Sequence, residues 1–243
     1  MAKVPTGYIV YQGPSMLDGN KIVVVALTKK STNRKTGDIV QTYILVDNGQ
    51  SPQANASSLA DASICGACPH RHGTGGACYV NLGHGPARIY DGIARGIYPF
   101  SVSDASTACD GRMVRLGTYG DPAAVPRYVW DALLLNANGH TGYTHQWKTG
   151  KSDAVMEYCM ASADTKEERV LAKSLGFRTF RVMSDKEQLQ IGEFSCPASE
   201  EQGKRKTCAE CGACSGGVNS RKADPAIVVH GGLKKRFIAI NPA

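Results

Sequence analysis

Seven of the nine cysteines in this chain fall into two short groups, and thiols spaced in this way bind metal ions or iron–sulfur clusters. The first group is Cys65, Cys68 and Cys78, with His70 and His72 lying between the last two. The second is Cys196 followed by Cys208, Cys211 and Cys214, three of them two residues apart on a loop rich in Gly and Ala. Four thiolates suit either a [4Fe–4S] cluster or tetrahedral zinc. The repeated two-residue spacing favours iron–sulfur, because zinc sites usually take their ligands as two separated pairs.

The first group is one thiolate short of a closed set. Three cysteines alone would leave one iron of a cubane open to a substrate or cofactor, whereas His70 or His72 as a fourth ligand would close a structural Cys₃His zinc site. The turn Gly73-Thr74-Gly75-Gly76 beside it could cradle an anion or simply let the loop fold back. Cys109 and Cys159 stand alone and read as small buried hydrophobes. Among nitrogen and oxygen donors, His145 with Asp121 or Asp164 could form an acid–base pair. A histidine in the stretch Tyr143-Thr144-His145-Gln146-Trp147 is also a common structural hydrogen-bonding residue.

Elements must carry these groups. Lys21–Thr28 and Ile39–Val46 are strand-like runs joined by the polar stretch Lys29–Asp38, so residues 1–60 form an N-terminal β-rich segment with a hairpin. Ser51–Ser63 reads as a linker, which places a boundary near residue 60 and a second unit over residues 61–243. Beyond Cys78, helix-like and strand-like stretches alternate. Strands are expected at 112–116, 141–144, 155–160, 178–182, 191–194 and 226–229, and helices at 86–95, 123–136 and 165–175. Alternation of this kind predicts an α/β protein with a parallel sheet, here a partial (β/α) barrel-like core carrying cysteine-rich metal-binding loops. Gly120-Asp121-Pro122, His145-Gln146-Trp147, Asp164, Ser184-Asp185, Cys196 and His230 all follow strand-like runs. In β/α folds the carboxyl ends of the strands form the functional rim, so these groups are expected to converge.

The chain of 243 residues is long enough for a sizeable core without disulfides. No secretory leader and no membrane-spanning run is read from it, so a cytoplasmic, metal-binding chain is expected, with no membrane partner. The formal net charge is +7, and the basic runs Lys204-Arg205-Lys206, Arg221-Lys222 and Lys234-Lys235-Arg236 suit a nucleic acid or another anionic partner. They would equally form a solvated face.

Cys78-Tyr79 followed by a helix, and a later strand running into Gly120-Asp121-Pro122, resemble the radical S-adenosylmethionine enzymes. In that family a cysteine loop ending in Cys-Tyr precedes a Gly-Glu-Pro-like turn. The Cys196–Cys214 set is similar to the auxiliary-cluster segment that some members carry. The cysteine pattern also resembles cysteine-rich phage and prophage proteins of unknown role, for which the compartment would be the host cytoplasm. The resemblance implies one or two [4Fe–4S] clusters and S-adenosylmethionine as cofactors. It casts Tyr79, Gly120 and Asp121 as cofactor-binding residues and a nucleic acid, nucleotide or peptide as substrate. Asp121 and, from the residues themselves, His145 are the catalytic candidates. The cysteine spacings differ from the family's, and Asp121 stands where the family has glutamate. The alternative from the residues themselves is a non-catalytic zinc protein associated with nucleic acid.

Overall fold

A computed structural model describes every residue except 1–3, 32–33, 219, 221 and 242–243. Arg221, in one of the basic runs, therefore lies outside the described residues. The molecule is a mixed α/β protein, and its described residues form two five-stranded sheets. The first contains β1 (Tyr8–Pro14), β2 (Lys21–Leu27), β3 (Val40–Val46), β4 (Met113–Tyr119) and β5 (Gly139–Thr141), paired in that order. The second contains β6 (Tyr143–Thr144), β7 (Met160–Ala163), β8 (Thr179–Met183), β9 (Glu193–Ser195) and β10 (Asp224–Val228), with β10 lying between β8 and β9.

The first three strands form an antiparallel meander, and every pairing from β3 onward is parallel. A single residue, Gly142, separates β5 from β6, so one extended stretch pairs with β4 in the first sheet and then with β7 in the second. Strand β2, Lys21-Ile-Val-Val-Val-Ala-Leu27, is buried on both faces, as its continuous apolar run requires. Strand β4 alternates instead. Val114 and Leu116 are fully buried in the main core, while Met113 and Arg115 point to the opposite face.

Among the described residues, eight helices accompany the sheets: α1 (Pro52–Ser57), α2 (Ala62–Cys65), α3 (Gly85–Ala94), α4 (Val102–Thr107), α5 (Arg127–Leu134), α6 (Lys166–Ser174), α7 (Cys208–Cys211) and α8 (Lys234–Ile240). Trp130 and Leu133 of α5 lie in the same apolar cluster as Ile22, Val24, Ile44 and Leu116, all of them fully buried. No helix among the described residues is long and apolar enough to cross a membrane.

Three boundaries differ from the sequence reading. The stretch expected to be a linker contains α1, because Ser51 Oγ accepts the Ala54 N–H and Pro52 sits in the first turn, where a missing N–H costs nothing. The helix expected from residue 123 starts at Arg127, since Pro122–Ala124 is a separate 3₁₀ turn and Pro126 follows it. The strand expected over 155–160 is displaced. Val155 O accepts the N–H groups of Tyr158 and Cys159, so this backbone is spent on a turn and β7 begins only at Met160. Residues on both sides of position 60 share a sheet and a core, because β3 pairs with β4.

Candidate metal centre

The loop bearing the first cysteine group is seated on the carboxyl ends of two strands. Helix α2 ends at Cys65, and Gly66 follows with φ +53°, a conformation that a side chain would strain. A Cβ on Gly66 would also fall 2.3 Å from Gln146 Oε1, because Gln146, just past β6, clamps this turn from both directions. Its Nε2 donates to Cys65 O at 2.9 Å, and its Oε1 accepts the Ala67 N–H at 3.1 Å. Beyond β4, the Asp121 N–H donates to Ile64 O at 2.6 Å. Gly120, at φ +85°, lies so close to Ile44 that a Cβ there would sit 2.7 Å from the Ile44 Cβ.

Asp121 holds these pieces in register. Its Oδ1 accepts the Ala123 N–H at 3.0 Å, and its Oδ2 accepts the His145 N–H at 2.8 Å and Gln146 Nε2 at 3.3 Å. The residue is 7% exposed, and burial raises its pKa against the lowering effect of the Ala123 and His145 N–H groups, the Thr144 side chain and the His145 charge. Its carboxylate is thus committed to the protein's own backbone and to Gln146.

Cys65, Cys68 and Cys78 interact electrostatically. Burial pushes the Cys65 thiol well up, and Cys68, Cys78, Asp61 and Asp121 push it further. Cys78 is likewise pushed up to about 11 by burial, with Cys68 and Asp61 adding to the rise. The two neighbouring histidines have different fates. His72 Nε2 lies 2.8 Å from Val80 O, a backbone contact that ties the loop to itself. His70 instead points at Asp164, just past β7, with Nε2 and Oδ2 2.8 Å apart, and its ring stacks on Phe237 of α8 at 5.2 Å.

His145 completes this corner: its Nε2 lies 3.8 Å from the same Asp164 oxygen, and its ring meets that of His70 edge-on at 5.6 Å. Burial alone would lower the His145 pKa. The adjacent Cys68 and Asp164 outweigh it and hold the imidazole well above its usual value. Asp164 is held well below the carboxylate range, burial being overcome by the neighbouring imidazoles of His145 and His70. The side chain of His145 therefore faces Asp164, while only its backbone meets Asp121.

The second group gathers on the other face of β4. Helix α7 carries Cys208 and Cys211, and a capping box starts it: Thr207 Oγ1 accepts the Glu210 N–H while the Glu210 carboxylate accepts the Thr207 N–H at 2.8 Å. Lys35 O and Thr36 O accept the Cys208 and Ala209 N–H groups at 3.1 Å, docking the helix on the β2–β3 connection. Cys214 O accepts the Gly142 N–H at the crossing between the sheets, and Arg178 donates to Ala213 O at 2.9 Å. Cys196 follows β9 and packs with Ile227, Phe180 and Cys208. The Cys214 thiol is pushed up to about 12, by burial first and then by Cys196, Cys208 and Cys211, against a hydrogen bond with Tyr143 that lowers it.

Arg115 lies between the two groups. Its guanidinium is 5.7 Å from the centre of the Tyr143 ring, and its Nη2 donates to the Tyr79 hydroxyl at 2.5 Å. Its pKa is raised first by Tyr79, against burial, and then by Tyr143, Cys208 and Cys214. Tyr79 itself is 75% exposed. Cys109 and Cys159 are fully buried in the main core.

Sulfur spacing bears on which group each set could hold. Around one tetrahedral zinc, with Zn–S bonds near 2.3 Å, thiolate sulfurs lie about 3.8 Å apart. Among the described residues, no three cysteine sulfurs come within 4.8 Å of one another, a limit that only the trio of His70, His145 and Asp164 meets.

Sequence reasoning had flagged Asp121, His145 and Asp164 through their positions after strands, and Gln146 was visible in the same run. Arg115 carried no such signal, because a mid-strand arginine shows only the alternation of its strand. No protein-family model, no curated protein and no solved structure matches this chain.

Proposed function

We propose that this chain is an iron–sulfur enzyme of the radical S-adenosylmethionine type, with its two sheets forming a partial barrel-like core and a nucleic acid, nucleotide or peptide as substrate. The observation that carries this reading is the anchoring of the Cys65–Cys78 loop to the carboxyl ends of β4 and β6 through Asp121 and Gln146. In parallel β/α folds this is the end where loops build active sites.

Cys65, Cys68 and Cys78 would hold a cluster with one iron open. When bound there, it would supply an electron to a cofactor at that iron. Asp121 acts as a positioning residue: its carboxylate fixes Gln146 and the backbone of His145, and so the cysteine loop. Cys196, Cys208, Cys211 and Cys214 would hold a second cluster, closed by four thiolates. Tyr79, exposed and next to Cys78, would meet a ligand bound at that iron. A cleft of about 640 Å³ is lined by Arg34, Glu200, Gly203, Lys204 and Arg205, and its three cations against one carboxylate would suit phosphate groups on the substrate.

The test is anaerobic purification with iron and sulfide analysis, followed by reduction in the presence of S-adenosylmethionine. About four irons per cluster, broad visible absorption and formation of 5′-deoxyadenosine are expected. Colourless protein with stoichiometric zinc would overturn the assignment in favour of a structural metal protein. Clusters without 5′-deoxyadenosine would leave an iron–sulfur protein of another kind.

A further inference from the structure

A second sort of metal chemistry is written into the corner where His70, His145 and Asp164 meet. Their candidate ligand atoms all lie within 4.8 Å of one another, and they are supplied by three separate parts of the chain: the cysteine loop and the ends of β6 and β7. Two imidazoles and one carboxylate around a divalent first-row ion form a recurrent set that leaves coordination positions open. With metal–ligand bonds near 2.1 Å, neighbouring donors sit about 3.0 Å apart in an octahedron and about 3.4 Å apart in a tetrahedron. The His70–Asp164 and His145–Asp164 separations, 2.8 Å and 3.8 Å, bracket those values.

The histidines also retain nitrogen atoms that the protein does not use. His145 Nε2, the atom that faces Asp164, is buried and lacks any hydrogen-bond partner. His70 presents its Nε2 to Asp164, so its likewise unpartnered Nδ1 is the ring's outer nitrogen and not the atom at the site. A buried imidazole nitrogen left without a partner costs free energy unless something binds it. The side chains of Asp164 and His70 are only 3% and 9% exposed, so bulk water does not satisfy them. The trio is well supported. The Asp164 N–H donates to the Glu168 carboxylate at 2.9 Å, the His145 N–H to Asp121, and Phe237 packs on the His70 ring. Such outer contacts are what orient metal ligands.

We propose that His70, His145 and Asp164 form a divalent-cation site of the two-histidine, one-carboxylate type, distinct from both cysteine sets and with positions left open for water or an oxygen donor. The donor set suits Mn²⁺ or Fe²⁺ better than the thiophilic ions that the cysteines would attract. It adjoins the first cysteine group through Cys68, which interacts with His145. Occupancy nonetheless depends on imidazole and carboxylate, so it does not require a cluster.

The probe is Mn²⁺ itself, because thiolates bind this hard ion poorly. Reduced, chelator-treated full-length protein would be titrated anaerobically with Mn²⁺, and the free ion followed by its six-line electron paramagnetic resonance signal. One ion per chain is expected, with affinity falling at least tenfold in His145→Gln and in Asp164→Asn. Near-ultraviolet circular dichroism would confirm that each variant is folded. His72→Gln and the double variant Cys65→Ser/Cys78→Ser should retain the ion. The proposal is overturned if the unaltered protein takes up no Mn²⁺, if folded His145→Gln binds as tightly as the parent, or if the cysteine double variant loses the ion.

Discussion

Gln146 shows how much of the candidate site depends on a single amide. It is 1% exposed and joins three things: the carbonyl of Cys65, the N–H of Ala67 and the carboxylate of Asp121. Removing it in Gln146→Ala strands a buried donor and a buried acceptor and opens a small void, costs that together come to about 2–4 kcal/mol. The expected outcome is a lower melting temperature and loss of metal from the first cysteine set, while the second keeps its content. Metal analysis of the variant beside a Cys208→Ser control, which should show the converse, separates the two sets. The residue types at the site were legible because thiols, imidazoles and carboxylates at strand ends declare their chemistry. Their partnerships were not. Nothing in the spacing of His70 and His72 says that one faces Asp164 while the other is spent on Val80 O, because that choice is made by how a long loop folds over strands far away in sequence.

At the scale of elements, the short strand β9 leads directly into Cys196 and owes its place to an ion-pair cluster. Glu193 accepts from Arg181 Nε at 2.9 Å and Nη2 at 2.8 Å, and lies 3.0 Å from Arg169 Nε, with the Glu193 and Arg181 side chains wholly buried. Burial raises the Glu193 pKa, but the hydrogen bonds from Arg181 and the Gln190 N–H, with the charges of Arg181 and Arg169, outweigh it and leave it lowered. A lowered carboxylate contributes stability that is fully present above the ordinary glutamate value of about 4.3 and is lost as pH falls through the folded value. Glu193→Gln should therefore cost about 3–5 kcal/mol near neutral pH by leaving Arg181 buried and under-paired, and the gap to the parent should narrow as the solution is acidified. Denaturant midpoints between about pH 6 and about pH 3 would show this convergence, and a constant gap would refute it. Helix α7 gives a smaller test. Thr207→Ala removes the capping box and should cost about 1 kcal/mol, read as weaker metal retention at the second set with the first unchanged. Elements with strong periodicity, such as β2, β3, α3 and α6, were readable from sequence to within a residue or two at their ends. Helix α1 was hidden because its Ser, Asn and Ala content resembles a linker until Ser51 is seen to cap it.

For the molecule as a whole, the crossing at Gly142 has the broadest consequence. One extended stretch serves both sheets there, so the face of β4 opposite the main core continues onto β6 and β8, where Tyr143 and Phe180 meet edge-on at 4.9 Å. The two cysteine sets are thereby connected by a short run of side chains: Cys78 adjoins Tyr79, Tyr79 binds Arg115, Arg115 lies over Tyr143, and Tyr143 hydrogen-bonds Cys214. Arg115 is the one cation in this run, and its effect on bound clusters has a definite sign. Reduction adds negative charge to a cluster, so a nearby guanidinium stabilises the reduced state more than the oxidised one and raises the reduction potential. Arg115→Met keeps most of the packing volume and removes the charge. It should lower the potential of the second set and, through Tyr79, that of the first, whereas Arg115→Lys should preserve much of the original value. Potentiometric titration followed by electron paramagnetic resonance would read both sets in one experiment. If Arg115→Met left both potentials unchanged while lowering thermal stability, the arginine would be a packing residue between two electrostatically independent centres. A fall confined to the second set would show that the contact through Tyr79 carries no influence on the first.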